Sequence, residues 1–236
     1  MMLRVFSPMQ STGGAGTVLS TLLRWPGRLV YELHRPGALK RIDVPLAIVA
    51  VACLAAYGLV VGSFSGGEQF WAAPLKITLG SFAAAAICLP SLYVFSCLAG
   101  ANDRMHFGAL TGVLLAAVTV NALLLVSFAP VAWLFSESTE SIGLIGTLHL
   151  IFWLTGIVFA MRLLKLAASY LGVGDRGYLL LWMGIFLLVN LQMTTTLRPL
   201  LGRSEHFLPT EKRFFLSHWA DVLNISAKKS QRVTYP

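Results

Sequence analysis

Apolar and polar positions divide this chain into long apolar runs separated by short polar breaks. A run of about 20 apolar residues is long enough to cross a bilayer as a helix. Five such runs occur, at 44–62, 77–99, 107–135, 142–164 and 178–197. None alternates polar and apolar residues with period two, which argues against the strands of a membrane barrel. The breaks hold residues that end helices or cannot stay in lipid. They are Ser63–Gly67, Gly100–Arg104, Ser136–Ser141 and Gly172–Gly177. All are short, and none leaves room for an inserted soluble domain.

The two flanks read differently. In residues 1–43, Val18, Leu19, Leu22, Leu23, Leu29, Val30 and Leu33 follow helical spacing, with Arg24, Arg28 and Arg35 among them. That pattern predicts a basic amphipathic helix lying on the membrane, interrupted at Pro26. The segment lacks the pattern of a secretory signal peptide. In residues 198–236, Phe214, Phe215, Leu216, Trp219 and Leu223 form an apolar patch beside Lys212, Arg213 and His218. An interfacial helix starting near Thr210 is expected there. The fold expected is therefore all-α: a polytopic membrane helix bundle of about five transmembrane helices at 44–197, with amphipathic interfacial segments at both ends.

Composition narrows the class. Of 236 residues, 56% are hydrophobic and 12% charged, against roughly 25% charged in a soluble domain. A soluble enzyme, a coiled coil and a disordered chain are disfavoured on that ground. The formal net charge is +8. It resides wholly in the flanks, because Arg and Lys cancel Asp and Glu between 44 and 197. The excess points to anionic lipid headgroups, or to a protein that docks there, a second copy included. No soluble basic domain is present for nucleic acid.

Orientation follows the positive-inside rule. Loops 100–106 and 165–177 carry basic residues, whereas 136–141 carries Glu137 and Glu140 and no Lys or Arg. This places the N-terminus in the cytoplasm. The basic C-terminal tail argues the other way, unless the fifth segment enters without crossing.

Polar side chains in lipid are costly and need protein or water beside them. No Asp, Glu, Lys or Arg falls at the centre of an apolar run. His149 lies about two turns into the fourth run. Asn121 in the third run is suited to an interhelical hydrogen bond. The end of the fifth run is polar nearly all round: at about 100° per residue, Asn190, Thr194 and Arg198 share one stripe and Gln192 another. Those six residues are the candidate intramembrane or docking positions. Arg24, Arg28, Phe214, Phe215 and Trp219 are the candidate interfacial anchors. Small residues in the first three runs, including Gly58 and Gly112, are spaced for close helix packing. Pro90 should disturb the second helix and free a carbonyl there. Cys53, Cys88 and Cys97 have no paired spacing and read as packing residues. No catalytic, metal or cofactor motif is visible, so no catalytic residue and no cofactor is expected.

Three runs carry a resemblance: Tyr57–Gly66, Cys88–Phe95 and Gln192–Gly202. Their order resembles a group of uncharacterised bacterial multi-span membrane proteins, similar to the Yip1-type five-span architecture. The resemblance implies a bundle in a bacterial inner (plasma) membrane and supplies no activity. The function expected is a non-enzymatic membrane scaffold or accessory subunit of a membrane complex. It would dock partners or anionic lipid through its basic tails and the polar end of the fifth helix. The alternative is a small oligomeric channel or transporter subunit with a polar pathway along the third and fifth helices. An intramembrane enzyme using His149 and Arg198 ranks last, because no nucleophile–base pair is visible.

Overall fold

The computed structural model describes residues 14–35, 37–65, 69–100, 106–139, 142–170 and 176–196. Among the described residues every regular element is helical. Two short helices, α1 (Ala15–Arg24) and α2 (Pro26–Leu33), lead into a π-helical turn at Leu39–Asp43. Five longer helices follow: α3 (Val44–Ser65), α4 (Gln69–Leu98), α5 (Phe107–Ser138), α6 (Ile142–Tyr170) and α7 (Arg176–Thr196). Among the described residues, four segments are long and apolar enough to cross a membrane: Leu39–Phe64, Phe70–Leu98, Phe107–Ser138 and Leu144–Tyr170. The fifth apolar stretch, Gly177–Met193, is shorter, because α7 turns polar over its last turns.

Local chemistry explains the element ends. Pro26 opens α2, where its missing N–H costs nothing. Gly37 takes a positive φ of 81° in the turn after α2, a conformation that a side chain would resist. Gly100 does the same after α4, with its N–H donated to the Cys97 carbonyl. The start of α4 lies eight residues ahead of the apolar run. Pro74 and Lys76 break that pattern, yet both are inside the helix. Pro74 is accommodated because it packs on Gly58 of α3, where a Cβ would collide with the Pro74 backbone. Lys76 is fully enclosed by protein.

Side-chain pairings give the helix directions. Asp43 approaches Gly112 and Leu46 meets Thr119, so α3 and α5 run parallel. Asn121 meets Gly156 and Phe128 stacks on Phe152, so α5 and α6 run antiparallel. Helix α5 lies between α3 and α6, α4 packs on α3, and α7 packs mainly on α4. At one end, exposed Tyr93 and Phe107 meet edge to face, with Tyr170 nearby on α6. Trp71 and Trp133 are exposed toward the other end. Along α4 the two levels, Trp71 and Tyr93, are about 33 Å apart at 1.5 Å per residue. That separation matches a hydrocarbon core of about 30 Å with interfacial aromatic residues at each face.

The short helices cap the Tyr93–Phe107 end. Val18, Leu22, Leu29, Val30 and Leu33 are buried in the common core with Ile42, Leu110 and Val113. The stripe that the sequence would lay on a membrane is turned onto the bundle instead. Two glycines permit this. The Tyr170 hydroxyl sits where a Cβ on Gly27 would be, and Leu33 fills the corresponding space at Gly112.

Gly58→Ala forces the Pro74 backbone to move, and should cost about 1–3 kcal/mol, read as a lower unfolding temperature in detergent. Gly184→Ala, where a Cβ meets nothing within 4 Å, should change stability by less than about 1 kcal/mol.

Candidate functional site

Among the described residues, the buried carboxylates gather at the capped end, whereas Lys76 is buried toward the other. Glu32 lies on the apolar stripe of α2, one turn from Leu29, and is fully buried. A carboxylate without water needs cations or donors beside it. Arg41 from the π-helical turn supplies one, with Nη2 donating to Oε2 at 2.7 Å. Arg35 supplies a second at 3.8 Å, and its guanidinium also stands over the Tyr31 ring. Glu32 thereby ties α2 to the turn that begins the first spanning segment.

Asp43 closes that turn and is only 6% exposed. Its Oδ1 makes no hydrogen bond among the described residues. A Cβ at Gly112 would come within 2.8 Å of that oxygen, so the carboxylate rests against the bare backbone of α5. The neighbouring corner joins His34, at the end of α2, to His106, the N-cap of α5. Their rings meet edge to face at 5.9 Å between centroids. The His34 Nδ1–H donates to the Val30 carbonyl at 2.8 Å. Burial above all, with the nearby His106, holds the His34 imidazole below its ordinary pKa of 6.5, although the Val30 bond works the other way.

Sequence reasoning missed both buried carboxylates. For Glu32 a signal existed: it falls between Leu29 and Leu33, inside an apolar face that should hold no charge. Asp43 gave a weaker one, as the last charge before an apolar run. Lys76 precedes the apolar run at 77–99 and stands inside α4.

The predicted positions are dispersed. His149 on α6 meets Tyr57 on α3, with the Tyr57 hydroxyl 2.6 Å from Nδ1. The two rings stand edge to face, and the His149 Nε2 is buried without a hydrogen-bond partner. Asn121 on α5 is buried, and its Oδ1 presses on the α6 backbone at Gly156, where no Cβ could fit. That is a close approach for packing, and the Asn121 Oδ1 has no hydrogen-bond partner among the described residues, so the expected interhelical hydrogen bond from it is not formed. Asn190 satisfies its own helix, Nδ2 donating to the Phe186 carbonyl at 2.9 Å. Gln192 is half-buried on α7. Asn121 points to α6 while α7 packs mainly on α4, so the structure does not bring Asn121 and Asn190 together. Thr194 lies in α7, but its side chain is outside the described set. Arg198, Phe214, Phe215 and Trp219 are outside the described residues. Arg24 is exposed and Arg28 half-buried on the cap.

Two interhelical bonds were not foreseen. The Thr119 hydroxyl reaches the Leu46 carbonyl of α3 at 3.3 Å. The Trp182 indole N–H donates to the Ser91 hydroxyl at 3.0 Å, beside Pro90, and Ser91 in turn donates to the Cys88 carbonyl. Cys53, Cys88 and Cys97 are all free thiols. Among the described residues no three His, Cys, Asp or Glu side chains stand together as a metal site. Comparison with family models, curated proteins and solved structures gives no match for the chain.

Glu32→Gln removes the counter-charge of Arg41 and Arg35 at constant size. The expected cost is about 2 kcal/mol, below the full value for a buried pair because both guanidiniums are partly solvated; thermal unfolding in detergent reads it. A double-mutant cycle between Tyr57→Phe and His149→Leu should return a coupling of about 1 kcal/mol.

Proposed function

We propose that the protein is a non-enzymatic membrane scaffold or accessory subunit whose N-terminal cap meets anionic lipid headgroups. One observation carries the reading. Both carboxylates of the described cap, Glu32 and Asp43, are buried, whereas Arg24 and Lys40 are exposed and Arg28, Arg35 and Arg41 are half-exposed. Among the described residues, the charged side chains that the cap turns outward are cationic. Trp25 stands 60% exposed beside Arg24. An apolar ring next to guanidiniums is the pairing that suits a membrane interface.

Orientation belongs to the same proposal. Basic side chains collect at the capped end, which favours a cytoplasmic N-terminus in a bacterial inner membrane. A fifth crossing by α7 completes the Yip1-like arrangement. The packing of α7 along α4 supports that crossing, and the polar residues at its end argue for a close by the membrane boundary.

Titration of the delipidated protein with phosphatidylglycerol and with phosphatidylcholine, followed by native mass spectrometry, tests the cap. Tighter binding of phosphatidylglycerol is expected. Arg24→Gln and Lys40→Gln should each weaken it by about 1 kcal/mol, or roughly fivefold. Equal affinity for the two lipids, unchanged by these variants, would overturn the lipid reading.

A further inference from the structure

Depth sets the cap within the membrane interface. Asn121 of α5 faces Gly156 of α6. Phe107 and Tyr170 each lie 14 residues from that contact, toward the capped end. At 1.5 Å per residue both stand about 21 Å away, so they share the aromatic level that Tyr93 also marks. The cap does not ride above that level. Gly27 meets the Tyr170 hydroxyl, and Leu33 reaches Gly112, which is about 7.5 Å deeper than Phe107 along α5. Asp43 meets Gly112 too, and Leu39 begins the turn that Asp43 closes. Leu39 therefore stands at most about 6 Å above Gly112, no further out than Phe107.

The outward side chains of the cap suit that level. Leu23 and Trp25 are each 60% exposed and Leu39 65%. In water each would forgo a burial worth about 1.5–3 kcal/mol. Leu23 shares the helical pattern of its neighbours in sequence, yet it points away from the core that holds Leu22 and Leu29. Lys40 opens a line that continues down α3 as Val44, Ile48 and Val51, all exposed and on one side of the helix. That line is the lipid side of a spanning helix, so the surface of the cap is continuous with one already in lipid. Arg24 adjoins Leu23 and Trp25, and Lys40 adjoins Leu39. Each base can lift its charge to the phosphates while its stem stays among apolar groups.

We infer that the cap is inserted into the leaflet around it: Leu23, Trp25 and Leu39 enter the chain region just beneath the phosphates, and Arg24 and Lys40 reach the phosphates themselves. The partner is the shoulder of the lipid, where glycerol esters meet acyl chains. One edge of α1 and α2 packs on the bundle and the other on lipid. Insertion needs no anionic headgroup, because apolar contact drives it.

The inference rests on the cap proposed above as the lipid-facing surface, and bilayers of phosphatidylcholine alone test it apart from any preference for anionic lipid. Cys53, Cys88 and Cys97 are replaced by alanine in the full chain. Leu23→Cys, Trp25→Cys and Leu39→Cys are then introduced one at a time and spin-labelled. Collisions with oxygen, which concentrates in lipid, are compared with collisions with a nickel chelate, which stays in water. All three labels should favour oxygen, at depths of about 5–10 Å below the phosphates. Val51→Cys on α3 gives the deep reference. Greater access to the nickel chelate at any of the three would overturn insertion. Poor access to both reagents would overturn it too, by assigning the surface to protein, whether a second copy or another part of the chain. A second measurement leaves every cysteine in place. The fluorescence of Trp25, taken as the difference between the unaltered protein and Trp25→Phe, should be lost in phosphatidylcholine brominated near the ester end of its chains. A Trp25 signal unmoved by bromine would overturn insertion. A cap standing in water can still prefer phosphatidylglycerol, and an inserted cap can show no preference, so the two readings fail separately.

Discussion

Lipid gives two apolar helices no reason to leave it for each other. The spanning helices therefore depend on close approach and on a small number of polar contacts. Gly58 admits Pro74, Gly156 admits Asn121, and Gly112 admits both Leu33 and the Asp43 carboxylate. Each is a place where a side chain is missing so that a backbone can be reached. Thr119 to Leu46, Tyr57 to His149 and Trp182 to Ser91 add one directional contact apiece between neighbouring helices. These contacts fix register, which dispersion between smooth apolar surfaces cannot do.

The capped end follows different physics. Burying Glu32 is costly, and its two guanidinium partners offset that cost without making the pair a strong source of stability. What the arrangement provides is position. A carboxylate that must stay beside Arg41 holds α2 over the head of α3 and α5, while Arg24 and Lys40 stay exposed. The neutral bundle and cationic flank seen in composition thus have a structural counterpart: acids inward, bases outward.

Much of the architecture was legible in the sequence. Helical character, the polar break at Gly100 and the interruption at Pro26 all come from local chemistry that a single chain displays. Among the described residues, four helices are long and apolar enough to cross a membrane. Other features were hidden for identifiable reasons. The start of α4 was obscured by Pro74 and Lys76, and Pro74 packs on a glycine in another helix. The partner of His149 is 92 residues away, beyond the reach of any periodicity. The inward turn of the α1–α2 stripe was ambiguous in principle, since lipid and a membrane protein's flank look alike to an apolar side chain. Of the candidate positions, Asn190 proved to be served by its own helix, and Asn121 by a close helix contact.

The π-helical turn at Leu39–Asp43 gives the first spanning segment a mechanical property. It runs straight into α3 with no intervening loop, so the turn and the helix share one continuous backbone ladder. A π-turn holds one residue more than the α-helical turn it replaces. Converting it to α geometry would rotate everything downstream by about 100° around the helix axis. Tyr57 would then swing away from His149, and Gly58 from Pro74. The turn acts as a gear tooth: its extra residue sets which face of α3 meets His149 and Pro74.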